Sequence, residues 1–223
     1  MVNAERDEKP VGVAVLGLGN VGSEVVRIIE ESADDLAARI GAPLVLRGVG
    51  VRNVGPDRGV PVEMLTDDID ALVSRDDVDI VVEVMGPVEP ARKAILAALE
   101  GGKSVVTANK ALIAKHGVRL AKAAEKHGGA LNYEAAVAGG IPIIKTLREG
   151  LAGTSVNRVY GILNGTCNYI LSRMEQEGLT FAECLKDAQR LGYAEANPSF
   201  DVDGHDTAQK LAILASLAFG TKV

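Results

Sequence analysis

The fold of this chain is decided by one stretch near its start, Val11-Gly12-Val13-Ala14-Val15-Leu16-Gly17-Leu18-Gly19-Asn20-Val21-Gly22. An apolar strand runs directly into a glycine loop with the spacing G-x-G-x-x-G. In such a loop Gly17 allows a sharp turn, Gly19 lets a pyrophosphate approach the backbone, and Gly22 lets the next helix pack closely on the sheet. The amphipathic run that follows predicts a helix over about Asn20 to Ile40, whose N-terminus would face the phosphates. We therefore predict that loop residues 17–22 bind a dinucleotide; a glycine-rich turn that binds nothing is the alternative.

The residues after the second predicted strand, Leu44 to Val51, indicate which dinucleotide would bind. A site that prefers NAD usually carries an acid there, which accepts hydrogen bonds from the ribose 2′-hydroxyl. Here Arg52 and Asn53 follow the strand, with Arg58 a little further on. A guanidinium pairs well with a 2′-phosphate, so we predict NADP(H) as the preferred cofactor, NAD(H) as the alternative, and Arg52 in the cofactor site. Arg52 as a solvated charge at the strand end is the competing interpretation.

Composition argues against several classes of function. Of the 223 residues, 47% are hydrophobic and 3% aromatic, with no tryptophan and a net charge of −6. The acidic balance and the lack of a basic run argue against nucleic acid or an acidic membrane surface as a partner. No apolar stretch approaches the ~20 residues that span a bilayer, and the polar residues 1–10 lack the apolar core of a signal peptide. Cys167 and Cys184 have no metal-ligand spacing, so we expect a cytoplasmic protein that acts on a small molecule.

Strand-like and helix-like segments alternate from Val11 to about Tyr133. This order predicts a parallel sheet with right-handed crossovers. The predicted fold class is therefore α/β, with a doubly wound, Rossmann-type nucleotide-binding domain over residues 1–136. The later predicted strands are Val78–Met85, Ser104–Thr107 and Ala130–Tyr133, and the later predicted helices are Asp67–Ser74, Glu89–Glu100 and Ala108–His127.

The pattern changes near residue 136, and we place a second domain over residues 137–223. A short helix over about Ile143 to Gly150 precedes a predicted strand, Val156 to Leu163. Three predicted helices follow, Thr166–Gln176, Phe181–Leu191 and Asp206–Phe219. This order predicts an α+β substrate/catalytic domain, in which a single unpaired strand would expose its edge. We therefore expect the domain to be incomplete at Val223, and to be completed by further chain or by a partner subunit in a homodimer or higher homo-oligomer.

Two polar clusters follow predicted strands, where α/β sheets bind their ligands. In Thr107-Ala108-Asn109-Lys110 a lysine begins a helix and opposes its dipole. That position favours an anion or a reacting group nearby, whereas a solvated Lys110 is the alternative. The loop from Glu134 to Pro142 has two adjacent glycines and one carboxylate. Its carbonyls could converge on a hard cation, although a plain tight turn would look the same.

A third cluster, from Gly192 to Lys210, is rich in acids. Asp206 and Lys210 are four residues apart on the last predicted helix, hence on one face. A surface salt bridge is the commonest interpretation of such a pair. This face continues into Leu214 and Leu217, however, so the pair borders the core, where charges must be paired or functional. Such a cluster would suit a zwitterionic substrate, with carboxylates for its ammonium group and a lysine for its oxygen.

Six motifs follow one another along the chain. They are Gly-Leu-Gly-Asn-Val-Gly (17–22), Thr-Ala-Asn-Lys (107–110), Glu-Ala-Ala-Val-Ala-Gly-Gly-Ile-Pro (134–142), Asn-Gly-Thr-Cys-Asn-Tyr-Ile (164–170), Leu-Gly-Tyr-Ala-Glu-Ala-Asn-Pro (191–198) and Asp-Val-Asp-Gly-His-Asp-Thr-Ala-Gln-Lys (201–210). These motifs occur in the order found in homoserine dehydrogenases, which this chain resembles from Val11 to Val223. The later motifs are far more specific than the glycine loop.

The resemblance implies interconversion of L-homoserine and L-aspartate 4-semialdehyde with NAD(P)(H), in the branch from aspartate to threonine and methionine. On the matching positions, Lys210 corresponds to the proton donor and acceptor, and Lys110 to a second catalytic lysine near the nicotinamide. Glu195 and Asp206 correspond to substrate ligands. The monovalent-cation loop, for Na⁺ or K⁺, corresponds to Glu134, Val137, Gly139 and Ile141. We place Gly86, Thr107 and Lys110 in the cofactor site as well.

The sequence departs from the family pattern in two places. Asn197 stands where the family usually has Asp, which would alter the electrostatics of the substrate site but spares Glu195. The chain ends at Val223, whereas family members continue, many of them into a regulatory domain.

Two other functions remain as alternatives. A semialdehyde dehydrogenase would work through a cysteine thioester, for which Cys167 is the candidate nucleophile, although no histidine lies near it in sequence to activate it. A dinucleotide-sensing module would bind NADP(H) without catalysis, but sensing alone needs no second cluster of lysines and acids.

Overall fold

The computed structural model describes residues 9–55 and 58–223. These residues divide into two compact units, one that ends at Ala136 and one from Val137 to Val223. The sequence predicts no signal peptide in the polar segment of residues 1–10, and most of this segment lies outside the described residues. Within the described part of the chain, no helix combines the length and the apolar character that crossing a membrane requires.

The first unit contains a six-stranded parallel sheet with the strand order β3-β2-β1-β4-β5-β6. The strands are β1 (Val11–Leu16), β2 (Leu44–Gly50), β3 (Leu65–Thr66), β4 (Ile80–Glu83), β5 (Ser104–Thr107) and β6 (Leu131–Asn132). From β1 the chain adds strands first on one side, through β2 and β3, and then on the other, from β4 to β6. The carboxyl ends of β1 and its two neighbours therefore form a topological switch point, where such sheets bind ligands. The predicted doubly wound fold is confirmed.

The strands of this unit form where the apolar runs predict them. Val13, Ala14, Val15 and Leu16 are all almost fully buried, because a parallel sheet is covered by helices on both faces. Strands β1 and β5 have the predicted bounds, and β2 ends one residue earlier than predicted. At each end, β4 is two residues shorter and β6 one residue shorter than predicted. Only β3 has no predicted counterpart, since two residues are too few to give a recognisable pattern.

The predicted single helix over 20–40 is wrong. The helices of this unit are α1 (Asn20–Glu31), α2 (Ala33–Ile40), α3 (Ile69–Ser74), α4 (Val88–Glu100) and α5 (Lys110–His127). The break falls at Ser32, whose backbone leaves helical geometry at φ −108° and ψ 23°. Helix α1 buries Val26 and Ile29, whereas α2 has no buried residue. The apolar face that holds α1 on the sheet thus ends before α2 begins.

The second unit is described as helices joined by irregular segments. They are α6 (Ile143–Lys145), a π-helical turn (Thr146–Gly150), α7 (Gly165–Glu177), α8 (Phe181–Arg190), α9 (Ser199–Val202) and α10 (His205–Phe219). A core cluster forms where α7 packs on α8, and its buried members are Ile170, Cys184, Ala188 and Ala194. The helices match the predicted ones closely, apart from the short α9, for which the sequence predicts no helix.

The predicted strand over Val156 to Leu163 is wrong. Residues 155–164 have no regular secondary structure, and Tyr160 and Ile162 are 87% and 75% exposed. A strand satisfies its backbone hydrogen bonds through a neighbouring strand. Among the described residues 137–223 there is none, so the β-type composition of this segment does not produce a strand.

Candidate active site

The glycine loop has the geometry that its three roles require. Gly17 has φ +101°, and a Cβ placed there would lie 2.8 Å from the carbonyl oxygen of Val84. A Cβ on Gly22 would lie 2.0 Å from the carbonyl oxygen of Gly17, so α1 can begin this close to the strand only with glycine. At Gly19 an added Cβ would meet no atom within 4 Å. The protein's own packing thus requires Gly17 and Gly22, whereas Gly19 faces open space in which a ligand could lie.

A cavity of about 460 Å³ lies beside this loop, at the carboxyl ends of β1, β2 and β4. Its lining residues are Gly17, Leu18, Gly19, Gly50, Val51, Arg52, Asn53, Arg58, Ile69, Val84, Met85, Pro87 and Pro90. Four of the predicted cofactor-binding residues are among them, namely Gly17, Leu18, Gly19 and Arg52. Gly86 lies between two lining residues. The other predicted positions, which do not line the cavity, are Asn20, Val21, Gly22, Thr107 and Lys110.

Two arginines give one end of this cavity a positive charge. Arg52 is exposed at the end of β2. The Arg58 side chain folds back, and its Nη2 donates to the carbonyl oxygen of Asn53 at 3.4 Å. The Nε atom of Arg58 is buried and has no hydrogen-bond partner among the described residues. A buried donor left unpaired is costly, so this end of the cavity suits an anionic group. Arg58 follows Arg52 in the sequence, but the sequence alone does not assign it to the site.

These observations test whether a dinucleotide fits. The cavity combines an open approach at Gly19, the N-terminus of α1 directly after it, and an arginine donor that lacks a partner in the described residues. Helix N-termini and guanidinium groups are the donors that proteins use for phosphates. The residues present fit a phosphorylated dinucleotide.

A buried carboxylate, Glu83, directly precedes two residues that line the cavity, Val84 and Met85. Its side chain is fully buried at the end of β4, and the sheet register places it opposite Thr107 on β5. Glu83 accepts hydrogen bonds from the backbone N–H of Met85 (2.8 Å) and the hydroxyl of Thr107 (2.6 Å). Thr107 Oγ1 in turn accepts from the backbone N–H of Asn109 (3.0 Å). Thr107 therefore contacts Glu83 and does not line the cavity itself. An acid inside an otherwise apolar strand is the sequence signal that could have singled out Glu83.

Asn109 connects this network to Lys110. Its side-chain oxygen accepts from the backbone N–H of Leu112 (3.1 Å) and so caps α5. Its amide nitrogen donates to the carbonyl oxygens of Gly86 (3.1 Å) and Pro87 (3.2 Å). Lys110 is the first residue of α5, as predicted, and is half-buried. Asn109 thus fixes the backbone of Gly86 and the start of α5, where Lys110 lies.

In the second unit, Lys210 and Asp206 form an ion pair at the edge of the core. Lys210 Nζ lies 2.6 Å from Asp206 Oδ2, and the side chains are 21% and 7% exposed. The ammonium group also donates to the carbonyl oxygen of Leu163 (2.7 Å). The pair is therefore not a solvated surface salt bridge, because one member is buried and both are held in a defined geometry.

The other predicted substrate ligand, Glu195, is exposed in the loop between α8 and α9. Its carbonyl oxygen accepts from Gln189 Nε2 at 3.0 Å, which fixes the loop backbone. Asn197 is exposed in the same loop, and its side-chain oxygen accepts from the backbone N–H of Ser199 at 3.3 Å. An aspartate would accept the same bond, so this departure from the family pattern leaves the local turn unchanged.

The predicted cation loop contains a tight turn. Ala138 and Gly140 have positive φ values of 52° and 85°, and the N–H of Ile141 donates to the carbonyl oxygen of Ala138 at 2.9 Å. No group of three or more His, Cys, Asp or Glu side chains could hold a metal ion within residues 9–55 and 58–223. A cation bound here would therefore depend on backbone carbonyls, which suit a hard monovalent ion.

Cys167 lacks the environment of a nucleophile. The pKa of its thiol is raised, first by burial and then by the negative charges of Asp201 and Asp206. The Sγ atom is 3.3 Å from the carbonyl oxygen of Asp201, to which it donates. Reactive cysteines instead have a lowered pKa, so the geometry argues against the thioester alternative. Cys184 is buried, and both cysteines are free thiols.

Comparison with known proteins identifies the family. The model of the homoserine dehydrogenase NAD-binding domain matches residues 17–134, and the homoserine dehydrogenase model matches residues 142–223. The chain belongs to the homoserine dehydrogenase family. A homoserine dehydrogenase of Mycobacterium bovis is 70% identical over 217 residues, which are 97% of this chain and 49% of that protein. The chain spans about half the length of the curated homoserine dehydrogenases that it matches.

Solved homoserine dehydrogenases have the same fold. The crystal structure of the Thiobacillus denitrificans enzyme has a TM-score of 0.87 and 46% identity, and the match covers 95% of this chain and 49% of that one. A hyperthermophilic archaeal homoserine dehydrogenase in complex with NADPH has a TM-score of 0.82 and 28% identity, with 96% and 71% covered. Within this chain, the cavity beside the glycine loop and Lys110 belong to the first unit, and Lys210, Asp206 and Glu195 to the second.

Proposed function

We propose that this protein interconverts L-homoserine and L-aspartate 4-semialdehyde with NAD(P)(H), in the branch from aspartate to threonine and methionine. Membership of the homoserine dehydrogenase family and the fit of the cavity to a phosphorylated dinucleotide support this proposal. The observation that carries it is the placement of Lys210, whose ammonium group is held by Asp206 and by the carbonyl oxygen of Leu163. A lysine oriented in this way is suited to donate a proton to an oxygen on which negative charge develops.

Each candidate residue has a role in this scheme. A nicotinamide cofactor held in the cavity would supply the hydride that reduces the aldehyde carbon. Lys210 gives a proton to the carbonyl oxygen and takes it back in the reverse direction, and Lys110 assists and orients the substrate. Glu195 and Asp206 bind the substrate, and Asp206 also keeps the Lys210 ammonium group in place. Gly19, the N-terminus of α1 and Arg52 hold the cofactor phosphates.

The proposal is tested by the loss of NADPH absorbance in the presence of L-aspartate 4-semialdehyde. We expect oxidation that requires this substrate, and the reverse reaction with L-homoserine and NADP⁺. NADPH binding without turnover would instead support a sensing module. Turnover that depends on Cys167, measured with a Cys167→Ser variant, would support the thioester alternative.

The preference for NADP(H) is tested at Arg52. We expect Arg52→Ala to weaken NADPH binding by about 1–3 kcal/mol, the range for a charge-assisted hydrogen bond, and to leave NADH binding nearly unchanged. Arg39→Ala, which removes an exposed arginine at the end of α2, is the matched control and should change neither. Equal losses for both cofactors in the Arg52 variant would refute the assignment.

The loop containing Glu134, Val137, Gly139 and Ile141 is proposed as a monovalent-cation site. A crystal grown with Na⁺ or K⁺ is expected to show an ion there with oxygen ligands only, mostly backbone carbonyls. A high-resolution map of such a crystal with no ion in this loop would rule the site out.

Assembly and location rest on the sequence alone. We propose a homodimer or higher homo-oligomer in the cytoplasm, and light scattering after size-exclusion chromatography measures the oligomeric state. A monomer at micromolar concentration would contradict the proposed homo-oligomer.

A further inference from the structure

The start of α7 is occupied by a motif, Asn164 to Ile170, to which the proposed function assigns no role. Asn164 is 7% exposed. Its side-chain oxygen accepts from the backbone N–H of Cys167 at 2.8 Å and caps α7. Capping a helix needs only an acceptor, so the cap does not account for the presence of the Asn164 amide nitrogen.

That amide nitrogen bridges two carboxylates. Asn164 Nδ2 lies 2.8 Å from Asp201 Oδ1 and 2.9 Å from Asp206 Oδ2. The second of these oxygens is the one that binds Lys210 Nζ. An amide group has two N–H donors and no charge, so it satisfies both carboxylates at once and fixes the distance between them.

The backbone carbonyl group that binds the Lys210 ammonium group also depends on Asn164. The carbonyl oxygen of Leu163, the second acceptor for Lys210 Nζ, belongs to the peptide bond that joins Leu163 to Asn164. The cap holds this peptide at the beginning of α7. Asn164 therefore controls both groups that orient Lys210, the carbonyl through the backbone and Asp206 through its side chain.

Thr166, one residue from Cys167, extends the network towards the loop that carries Glu195. Its hydroxyl is 2.6 Å from the carbonyl oxygen of Tyr193 and 3.3 Å from Asp201 Oδ2. The first turn of α7 thus connects the loop 191–198 with α9 and α10. This arrangement explains why the motif is polar at positions that are buried.

We propose that Asn164 is a positioning residue for Lys210, which uses its amide group to hold Asp206, and with it the lysine ammonium, in the orientation that proton transfer requires. The proposal rests on the proposed function of Lys210. Asn164 itself touches neither substrate nor cofactor in this account. Its removal should therefore reduce turnover and leave cofactor binding unchanged.

The test separates the cap from the amide donor. Asn164→Ser keeps a good capping acceptor and loses the amide N–H groups, and Asn164→Asp keeps the shape and the cap but presents a third acceptor to two carboxylates. Both variants of the full-length protein are compared with Asn168→Ser, an exposed asparagine one turn further along α7. Rates are expressed per NADPH-binding site, so that unfolded molecules do not count.

We expect kcat to fall about 10- to 100-fold in both Asn164 variants, in line with the cost of misplacing a reacting group. The Kd for NADPH should stay within about twofold and the Tm of Asn164→Ser within a few degrees, because the cap is retained. Asn168→Ser should match the wild type. An Asn164→Ser enzyme with wild-type kcat would overturn the proposal, as would a variant whose losses appear equally in NADPH binding. A wild-type protein that does not reduce the semialdehyde would instead refute the proposed function.

Discussion

Replacing Lys210 by alanine is expected to lower kcat by at least about 100-fold while NADPH binding stays intact, because general acid catalysis typically contributes that much. The substitution removes the ammonium group that Asp206 and Leu163 hold. It leaves the cofactor cavity untouched, since all of the residues that line it belong to the first unit. Steady-state kinetics and an NADPH fluorescence titration on the same preparation check both halves of the prediction.

Lys186→Ala is the matched control, because it deletes an exposed lysine on α8 of the same unit. It should leave kcat unchanged. If Lys210→Ala keeps near-normal kcat in an otherwise active enzyme, the proton donor is another residue, and Lys110 is the first to test.

Adding one methyl group to the glycine loop is expected to weaken NADPH binding at two positions but to lower the stability of the protein at only one of them. In Gly22→Ala the new Cβ would lie 2.0 Å from a backbone carbonyl oxygen, so α1 must move away from the strand. We expect a loss of about 3 kcal/mol in the free energy of unfolding, at the upper end for overpacking, together with loss of NADPH binding. Thermal or urea unfolding measures the first and a binding titration the second.

Gly19→Ala is the matched variant. The added Cβ meets no protein atom within 4 Å, and Gly19 has φ −89°, which alanine adopts easily. Stability should change by under about 1 kcal/mol. NADPH binding should weaken at least about tenfold, because the methyl group occupies the approach to the backbone donors, each of which is worth about 1.5–3 kcal/mol to a charged group. An equal loss of stability in the two variants would contradict the assignment of separate roles to the two glycines.

The first unit could be predicted because its signals are local. The glycine loop, the apolar strand before it and strand β5 (Ser104–Thr107) each depend on a few consecutive residues, and the structure has them where the pattern indicates. The segment over Val156 to Leu163 differs, because strand formation depends on a partner that the segment itself does not specify.

The side-chain networks could not be predicted for a related reason. Glu83 meets Thr107 only through the register of two strands. The carboxylates that accept hydrogen bonds from Asn164 belong to Asp201 and Asp206, which lie 37 and 42 residues further along the chain. A pattern within one segment does not reveal such contacts. The i,i+4 spacing of Asp206 and Lys210 is local, which is why that pair could be recognised from the sequence.

Hydride transfer from NADPH to the aldehyde by this member of the homoserine dehydrogenase family is tested by following a label into the product. The protein is incubated with L-aspartate 4-semialdehyde and NADPH that carries deuterium on the transferred position, and the amino acids are analysed by mass spectrometry. We expect L-homoserine that carries a single deuterium on the former aldehyde carbon. Consumption of NADPH without labelled homoserine, or no consumption at all, would contradict it.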